Sequence, residues 1–138
     1  MNAFYCALAA ASIWGIVPIL EKLGLGKVEP LTGLFFRCIG VIIGFLALGA
    51  FFVKPAAIRS TDLKSAAFLI LGGFLASFAA QICFYHGLKA GNVSRVVPLS
   101  GSYPLISFLL GVILLGESVS AVRIAGVACI MAGIWLLR

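Results

Sequence analysis

Five apolar stretches, each close to 20 residues long, constrain this chain more than any other feature of its sequence. They run approximately over residues 3–20, 31–53, 66–88, 96–115 and 119–137. Because a hydrocarbon core about 30 Å thick needs about 20 apolar residues of helix, each stretch is long enough to cross a bilayer. The stretches are too long for the strands of a membrane barrel and lack their alternation. The sequence therefore predicts an all-α integral membrane protein, a single domain over residues 1–138 folded as a bundle of five transmembrane helices.

The composition excludes an ordinary water-soluble fold. Hydrophobic residues make up 63% of the chain and charged residues only 10%, whereas soluble domains are roughly one quarter charged. The ten Lys and Arg residues outnumber the four Asp and Glu residues, but they are scattered singly among the loops, as membrane topology requires, rather than gathered on one face. We therefore expect the lipid bilayer as the environment and no nucleic acid as a partner.

The reactive residue types form no motif that would indicate catalysis. The four cysteines, Cys6, Cys38, Cys83 and Cys129, lie within the apolar stretches without CxxC spacing, so they are expected to be small buried side chains rather than metal ligands or disulfides. No nucleophile-base arrangement or phosphate-binding loop is recognisable either. We expect no cofactor, no metal site and no enzymatic activity.

The third and fourth predicted helices each carry a polar stripe. The stripe residues are Ser77, Gln81 and Tyr85 on the third helix and Ser100, Tyr103 and Ser107 on the fourth. Two facing polar stripes indicate a wet path through the membrane. The alternative is that these side chains only join helices by hydrogen bonds, each contributing about 0.6 kcal/mol. The sequence leaves both interpretations open.

Two prolines, Pro98 and Pro104, predict a break in the fourth helix. Each removes a backbone donor and frees a carbonyl upstream, and such broken backbone occurs at membrane depth within protein or beside a water-filled cavity. The stretch between them is therefore a candidate for contact between a solute and the main chain. An ordinary proline kink is the alternative.

Arg37 is the one charged residue placed well inside a predicted helix. It lies about six residues into the second stretch, or roughly 9 Å deep. It can extend to the interface, or it can bind or orient an anion. Glu21 and Glu117 are both expected at helix ends. The sequence thus predicts no acid in mid-membrane, and coupling of transport to protons by a buried acid is unsupported.

The distribution of positive charge predicts only a weak preference for one orientation of the chain in the membrane. Five spans would put Lys54, Arg59, Lys64 and Arg123 on one side and Lys22, Lys27, Lys89, Arg95 and Arg138 on the other, four against five. Because orientation follows the asymmetry of Lys and Arg, the chain could insert both ways up and form an inverted pair, a frequent transporter design. Five helices enclose little space, so we expect a homodimer, antiparallel in this case, or a paralogous five-helix partner.

The order of several short features resembles a known family. The stretch 84–137, FYHGLKAGNVSRVVPLSGSYPLISFLLGVILLGESVSAVRIAGVACIMAGIWLL, is similar to the second half of an EamA domain of the drug/metabolite transporter superfamily. Matching features elsewhere are Trp14-Gly15, Arg37, Ala90-Gly91, Pro98, Pro104, Leu115-Gly116-Glu117, Gly126 and Gly133. Such transporters typically carry two five-helix units in inverted orientation, whereas this chain carries one.

The resemblance implies a function and a site. By it the third and fourth helices help line a central cavity, with Gln81, Tyr85, Ser100 and Tyr103 as candidate pathway residues. Ser77, Ser107, Trp14 and Arg37 complete the candidate pathway. The implied function is a transporter subunit that moves a small organic solute, such as a metabolite, amino acid or drug, by alternating access. A subunit of a lipid-linked sugar flippase and a non-transporting membrane scaffold are the alternatives. The compact loops fit a bacterial inner membrane.

Overall fold

The chain is helical throughout the part that this computed structural model describes, residues 2–137, and no strand occurs there. Its helices are α1 (Ala3–Gly24), α2 (Pro30–Phe51), α3 (Pro55–Arg59), α4 (Leu63–Phe74), α5 (Ala80–Ala90), α6 (Val93–Ser100), α7 (Tyr103–Leu115) and α8 (Ala121–Leu136). A π-helical turn, Leu75–Ala79, joins α4 to α5 without interrupting the rod.

Four helical segments are long and apolar enough to cross a membrane. The first two are α1 and α2, the third is Leu63–Ala90, made of α4, the π turn and α5, and the fourth is Val93–Leu115, made of α6 and α7. They coincide with the first four predicted stretches. We refer to them below as the first to fourth spans.

The fifth predicted stretch forms a shorter helix than expected. α8 has 16 residues and is therefore about 24 Å long, less than the thickness of a typical hydrocarbon core. Gly116 ends α7 with φ 66°, a left-handed conformation that glycine adopts without steric cost. The Ser120 hydroxyl then accepts a hydrogen bond from the Arg123 amide at 3.3 Å and starts α8. Helix length alone therefore does not confirm the predicted count of five spans.

The starts of the other long helices follow from local chemistry. The side chain of Asn2 accepts a bond from the Phe4 amide and opens α1, and the Asp62 carboxylate accepts one from the Ser65 amide and opens α4. Pro30 occupies the first position of α2, where its missing N–H has no intrahelical partner to lose. The first turns of α1 and α4 therefore have a side-chain partner for a free backbone donor, and α2 begins with a residue that has no such donor.

The helices divide into two compact units. The first ends at Lys89 and contains the first three spans except Ala90, and its buried large apolar side chains are Leu25, Leu34, Tyr85 and Leu88. The second begins at Ala90 and contains α6, α7 and α8, of which α7 and α8 contact each other. Most other large apolar side chains are exposed, as lipid-facing residues are.

Candidate functional site

Three polar side chains from three different helices meet in the first unit. The Tyr85 hydroxyl on α5 donates a hydrogen bond to Glu21 Oε1 on α1 at 2.9 Å. The Nε atom of Arg37 on α2 lies 3.3 Å from the same oxygen. We call Glu21, Arg37 and Tyr85 the polar cluster. It joins all three spans of the unit through a single carboxylate oxygen.

Arg37 makes a second contact, with the main chain of the π turn. Its Nη1 atom donates a hydrogen bond to the carbonyl oxygen of Ser77 at 3.1 Å. The Arg37 side chain is 25% exposed and that of Glu21 only 9%. The guanidinium is therefore engaged within the first unit, where it contacts the last turn of α1 and the π turn.

The structure extends the first predicted helix and brings Glu21 into contact with neighbouring helices. The prediction stopped that helix at residue 20, whereas α1 continues to Gly24. Glu21 therefore lies in the last turn of α1, near the helix end where the sequence analysis expected it. The contacts of Glu21 with Arg37 and Tyr85 were not predicted, because spacing along one helix does not encode contacts between helices.

Beside the polar cluster lies a cleft of about 480 Å³. Its lining is mostly apolar apart from the cluster: Val17, Leu20, Glu21, Gly24, Leu25, Val28, Gly33, Phe36, Arg37 and Tyr85. Both contacts of Glu21 are made by its Oε1 atom, and its Oε2 atom has no partner among the described residues. An apolar cleft with one free acceptor and an arginine beside it can hold a small solute that offers an apolar body and a polar end.

Gly33 allows this region to pack closely. A Cβ atom added to Gly33 would lie 2.6 Å from Leu25 Cδ2 and 3.6 Å from Tyr85 Cε2. Leu25 and Tyr85 are 2% and 3% exposed, so Leu25 has little room to withdraw. Glycine at position 33 therefore lets α2 pack closely against the side chains of Leu25 and Tyr85.

Two lysines close the end of the unit next to the polar cluster. Lys22 Nζ on α1 donates to the carbonyl of Leu88 at 2.5 Å, and Lys89 Nζ on α5 donates to the carbonyls of Leu25 and Gly26 at 2.5 and 3.0 Å. Each lysine thus caps the C-terminal end of the other's helix, where free carbonyls and the helix dipole favour a cation. We call this pair the lysine clasp. It holds α1 and α5 side by side in the same direction.

The other predicted residues of the first unit are less engaged. Gln81, one turn before Tyr85, is partly buried, and its Oε1 atom is enclosed without a hydrogen-bond partner among the described residues. Ser77 contributes its carbonyl to Arg37. Trp14 is 65% exposed and does not line the cleft. The structure therefore brings Arg37, Ser77 and Tyr85 together and leaves Trp14 apart.

The second unit holds the remaining candidates around a break in the fourth span. α6 ends at Ser100 and α7 starts at Tyr103, with Pro98 inside α6 and Pro104 in the first turn of α7. At Gly101 a Cβ atom would lie 3.1 Å from the Pro98 carbonyl, so the backbone is tight at the break. The three polar candidates on this span are exposed: Ser100, Tyr103 and Ser107. A separate cleft of about 380 Å³ lies at the start of α6, next to Arg95 and Asn92.

Metal-binding geometry is absent from the described residues, which hold no group of three or more His, Cys, Asp or Glu side chains. All four cysteines are free. The first unit offers an ion pair, a phenol and the amide oxygen of Gln81. Such groups can form hydrogen bonds and ion pairs with a small molecule.

Comparison with known proteins identifies a family and several relatives of the chain. A model of the EamA-like transporter family matches residues 1–138. A Sinorhizobium protein named "Uncharacterized transporter in cobO 3'region" is 29% identical over 96% of this chain and 94% of its own length. An uncharacterized protein of Methanocaldococcus jannaschii is 27% identical over 99% of this chain and 96% of its own. An uncharacterized transporter of Archaeoglobus fulgidus is 24% identical over 95% of this chain, which spans only 46% of that relative. No solved structure matches the chain.

Proposed function

This chain belongs to the EamA-like transporter family, and from that premise we propose that it is a transporter subunit that moves a small organic solute by alternating access. Its apolar spans and its family make it an integral membrane protein. The solute class we propose is a metabolite, an amino acid or a drug-like compound. We propose no enzymatic activity for it.

The observation that carries this proposal is the polar cluster at the wall of an apolar cleft. A charged pair inside a membrane bundle costs free energy of insertion, about 2.5 to 3.5 kcal/mol for each charge on insertion scales. Such residues therefore mark solute pathways more often than structural contacts. Because Glu21 and Arg37 neutralise each other, the cleft favours a solute without strong net charge. The proposed pathway in this unit consists of the polar cluster with Gln81 and Ser77. Trp14 lies outside the cleft lining, and we propose it as a pathway residue from its sequence position alone.

The second unit would contribute the rest of the pathway. Ser100, Tyr103 and Ser107 are exposed polar residues on an otherwise apolar span, and Pro98 and Pro104 flank its break. Main-chain groups freed at such a break can bind a solute directly. We propose these residues as pathway contacts on that basis.

The working assembly would be an inverted pair of five-helix units. Two relatives match this chain over nearly their full length, whereas the Archaeoglobus relative has room for a second unit of the same size. A near balance of positive charge between the two sides permits both orientations. We propose a homodimer, antiparallel if the chain inserts both ways, or a paralogous partner, in a bacterial inner membrane.

Single cysteines test the orientation. They would replace Ser60 and Gly91 one at a time, in a background in which Cys6, Cys38, Cys83 and Cys129 are replaced by alanine. An impermeant maleimide is then added to intact cells. Partial labelling at both positions supports an antiparallel homodimer, and labelling at only one position contradicts it and calls for a partner chain.

Counterflow in proteoliposomes tests transport itself. Vesicles loaded with a mixture of amino acids, nucleosides and quaternary ammonium compounds receive the same compounds in radiolabelled form, one at a time. Wild type should accumulate at least one label, and Tyr85→Phe should reduce its uptake about ten-fold, since a hydrogen bond to a charged group is worth about 1.5 to 3 kcal/mol.

Two further variants make the result specific. Tyr5→Phe is the matched control, because Tyr5 is an exposed residue of α1 remote from the cleft lining, and it should leave uptake unchanged. Gln81→Ala and Tyr103→Phe should reduce uptake while size-exclusion profiles persist. If no label accumulates and only complex formation changes, the protein is a scaffold. Movement of a labelled polyprenyl-phosphate sugar alone would indicate a flippase.

A further inference from the structure

The π turn inserts one extra residue into the third span. At Leu75–Ala79 the Ala80 amide bonds the carbonyl of Leu75, five residues back, rather than the carbonyl four residues back as in an α-helix. α4 before the turn and α5 after it are regular. A π turn of this kind is rare and frequently lies at a functional site.

A chain of side-chain bonds ties the π turn to the helix that follows it. It starts at the carbonyl of Ser77 inside the turn, passes through Arg37 and Glu21, and ends at the hydroxyl of Tyr85 in α5. Both ends lie on the third span, one within the turn and one beyond it. The two intermediate residues belong to α2 and α1, which are outside that span. They therefore fix the rotation of α5 relative to the turn.

With the turn in its π form, one side-chain atom near it lacks a hydrogen-bond partner. Gln81, the second residue of α5, has a side-chain oxygen enclosed without a partner among the described residues. Buried polar atoms are almost always hydrogen-bonded, and an exception calls for an explanation. In the π form the third span thus carries one buried acceptor without a partner, four residues before Tyr85.

We propose that Arg37 and Glu21 are positioning residues that hold the turn in its π form, and that the third span changes register here when their bonds open. The role of this register change in transport rests on the proposed function. The bonds from which we infer it are observed in the structure. Conversion of the turn to α-helix rotates α5 by about 100° and extends the span by about 1.5 Å. Tyr85 then leaves Glu21, its outer atoms moving by about 8 Å.

A solute in the cleft would act on the π turn through Arg37. The cleft is lined by Glu21, Arg37 and Tyr85, so an acceptor group on the solute competes with the Ser77 carbonyl for the guanidinium. Release of that carbonyl removes the one side-chain bond made by the π turn among the described residues. Binding and a change of register would thereby be linked at one residue.

Distance measurement between two spin labels tests the proposal without any solute. One label is attached at Ala67→Cys in α4 and the other at native Cys83 in α5, both exposed, with Cys6, Cys38 and Cys129 replaced by alanine and the protein in lipid nanodiscs. The doubly labelled protein that retains Glu21, Arg37 and Tyr85 should give a single narrow distance between the two labels. Arg37→Ala should add a second population with a distance roughly 3 to 6 Å longer, because the label rotates with α5.

Deletion of Ala76 supplies the decisive comparison. Removing one residue from the turn allows a continuous α-helix while keeping the rotation of α5, so the deletion variant should give a single distance both with Arg37 and with Arg37→Ala. The control Arg123→Ala, in the second unit, should leave the distance unchanged. If Arg37→Ala does not fold, Tyr85→Phe replaces it and should give a smaller second population.

Either of two results would overturn the proposal. One is a single unchanged distance in Arg37→Ala or its replacement. The other is a second population that persists when Ala76 is deleted. Loss of counterflow with these distances intact would instead count against the proposed transport function, so the two failures are distinguishable.

Discussion

The two units of this protein use their charged residues in opposite ways. In the first, Arg37 and Glu21 bond to each other and to groups on a third helix. In the second, the Arg123 guanidinium donates to the carbonyl of Ser118, only five residues away, and the Glu117 carboxyl lies against Gly111 at the end of α7. The ion pair of the first unit therefore joins helices, whereas Arg123 and Glu117 make contacts within α7, α8 and the segment between them.

The difference teaches where to look for function in an apolar bundle. A charge bonded to a residue a few positions away in the same segment stabilises that local turn and needs no further explanation. A charge bonded across helices at membrane depth bears a cost of desolvation, and its partners decide whether it is tolerated. Matched variants in the two units separate these roles.

The largest effect is expected from Arg37→Ala. It leaves Glu21, only 9% exposed, without its cation, and loss of one partner of a buried pair costs about 3 to 5 kcal/mol of unfolding free energy. Partial exposure of Arg37 brings our expectation down to about 2 kcal/mol. The measurement is reversible unfolding in bicelles. Arg123→Ala should change the same free energy by less than about 0.5 kcal/mol, and equal losses for the two variants would abolish the distinction between the units.

A smaller effect is expected from Gly33→Ala. The added methyl group would meet Leu25 Cδ2 at 2.6 Å, and overpacking of this kind costs about 1 to 3 kcal/mol. Gly40→Ala, on the same helix with open space around it, is the control and should be neutral or slightly stabilising. Thermal unfolding in detergent distinguishes them. Similar midpoints would mean that close packing at Gly33 does not support the cluster.

Removal of one half of the lysine clasp should be weaker still. Lys89→Met abolishes the bonds to the carbonyls of Leu25 and Gly26, and a cation at a helix C-terminus contributes about 0.3 to 1 kcal/mol. We expect faster amide hydrogen exchange in the last turn of α1. Lys54→Met, outside the spans, should leave that exchange unaltered, and protection that survives Lys89→Met would show the clasp to be incidental.

The smallest effect concerns two of the helix caps, at Asp62 and at Ser120. The Ser65 amide bonds the Asp62 carboxylate and lowers the pKa of Asp62 below its ordinary value of 3.8. Because the folded pKa is the lower one, this cap stabilises α4 above the ordinary value and is lost as the pH falls through the folded pKa. The Ser120 cap of α8 is neutral and carries no such dependence. Hydrogen exchange at Ser65 should accelerate in acid relative to Asp62→Asn, and an identical pH profile in both proteins would contradict the assignment.

Sequence patterns predicted the first four spans well because composition and length determine them, whereas the fifth stretch forms a helix of only 16 residues. The polar cluster was predicted only in part. Arg37 and Tyr85 were identified as candidate pathway residues and Glu21 was expected near a helix end, where it lies, but the contacts that join the three were not predicted. The π turn has no compositional signature, so the i+4 spacing that grouped Ser77, Gln81 and Tyr85 assumed a regular α-helix that the turn interrupts. Such contacts depend on three-dimensional packing across helices, which spacing along one helix does not encode.

Counterflow of the labelled solute in proteoliposomes, compared between Glu21→Gln and Glu117→Gln, tests the central claim most directly. The two substitutions make the same chemical change, one in the polar cluster and one at a helix end. If the first unit carries the solute site, Glu21→Gln should reduce uptake about ten-fold or more, and Glu117→Gln should keep it within about two-fold of wild type. Equal uptake by the two variants, or a loss confined to Glu117→Gln, would contradict the account.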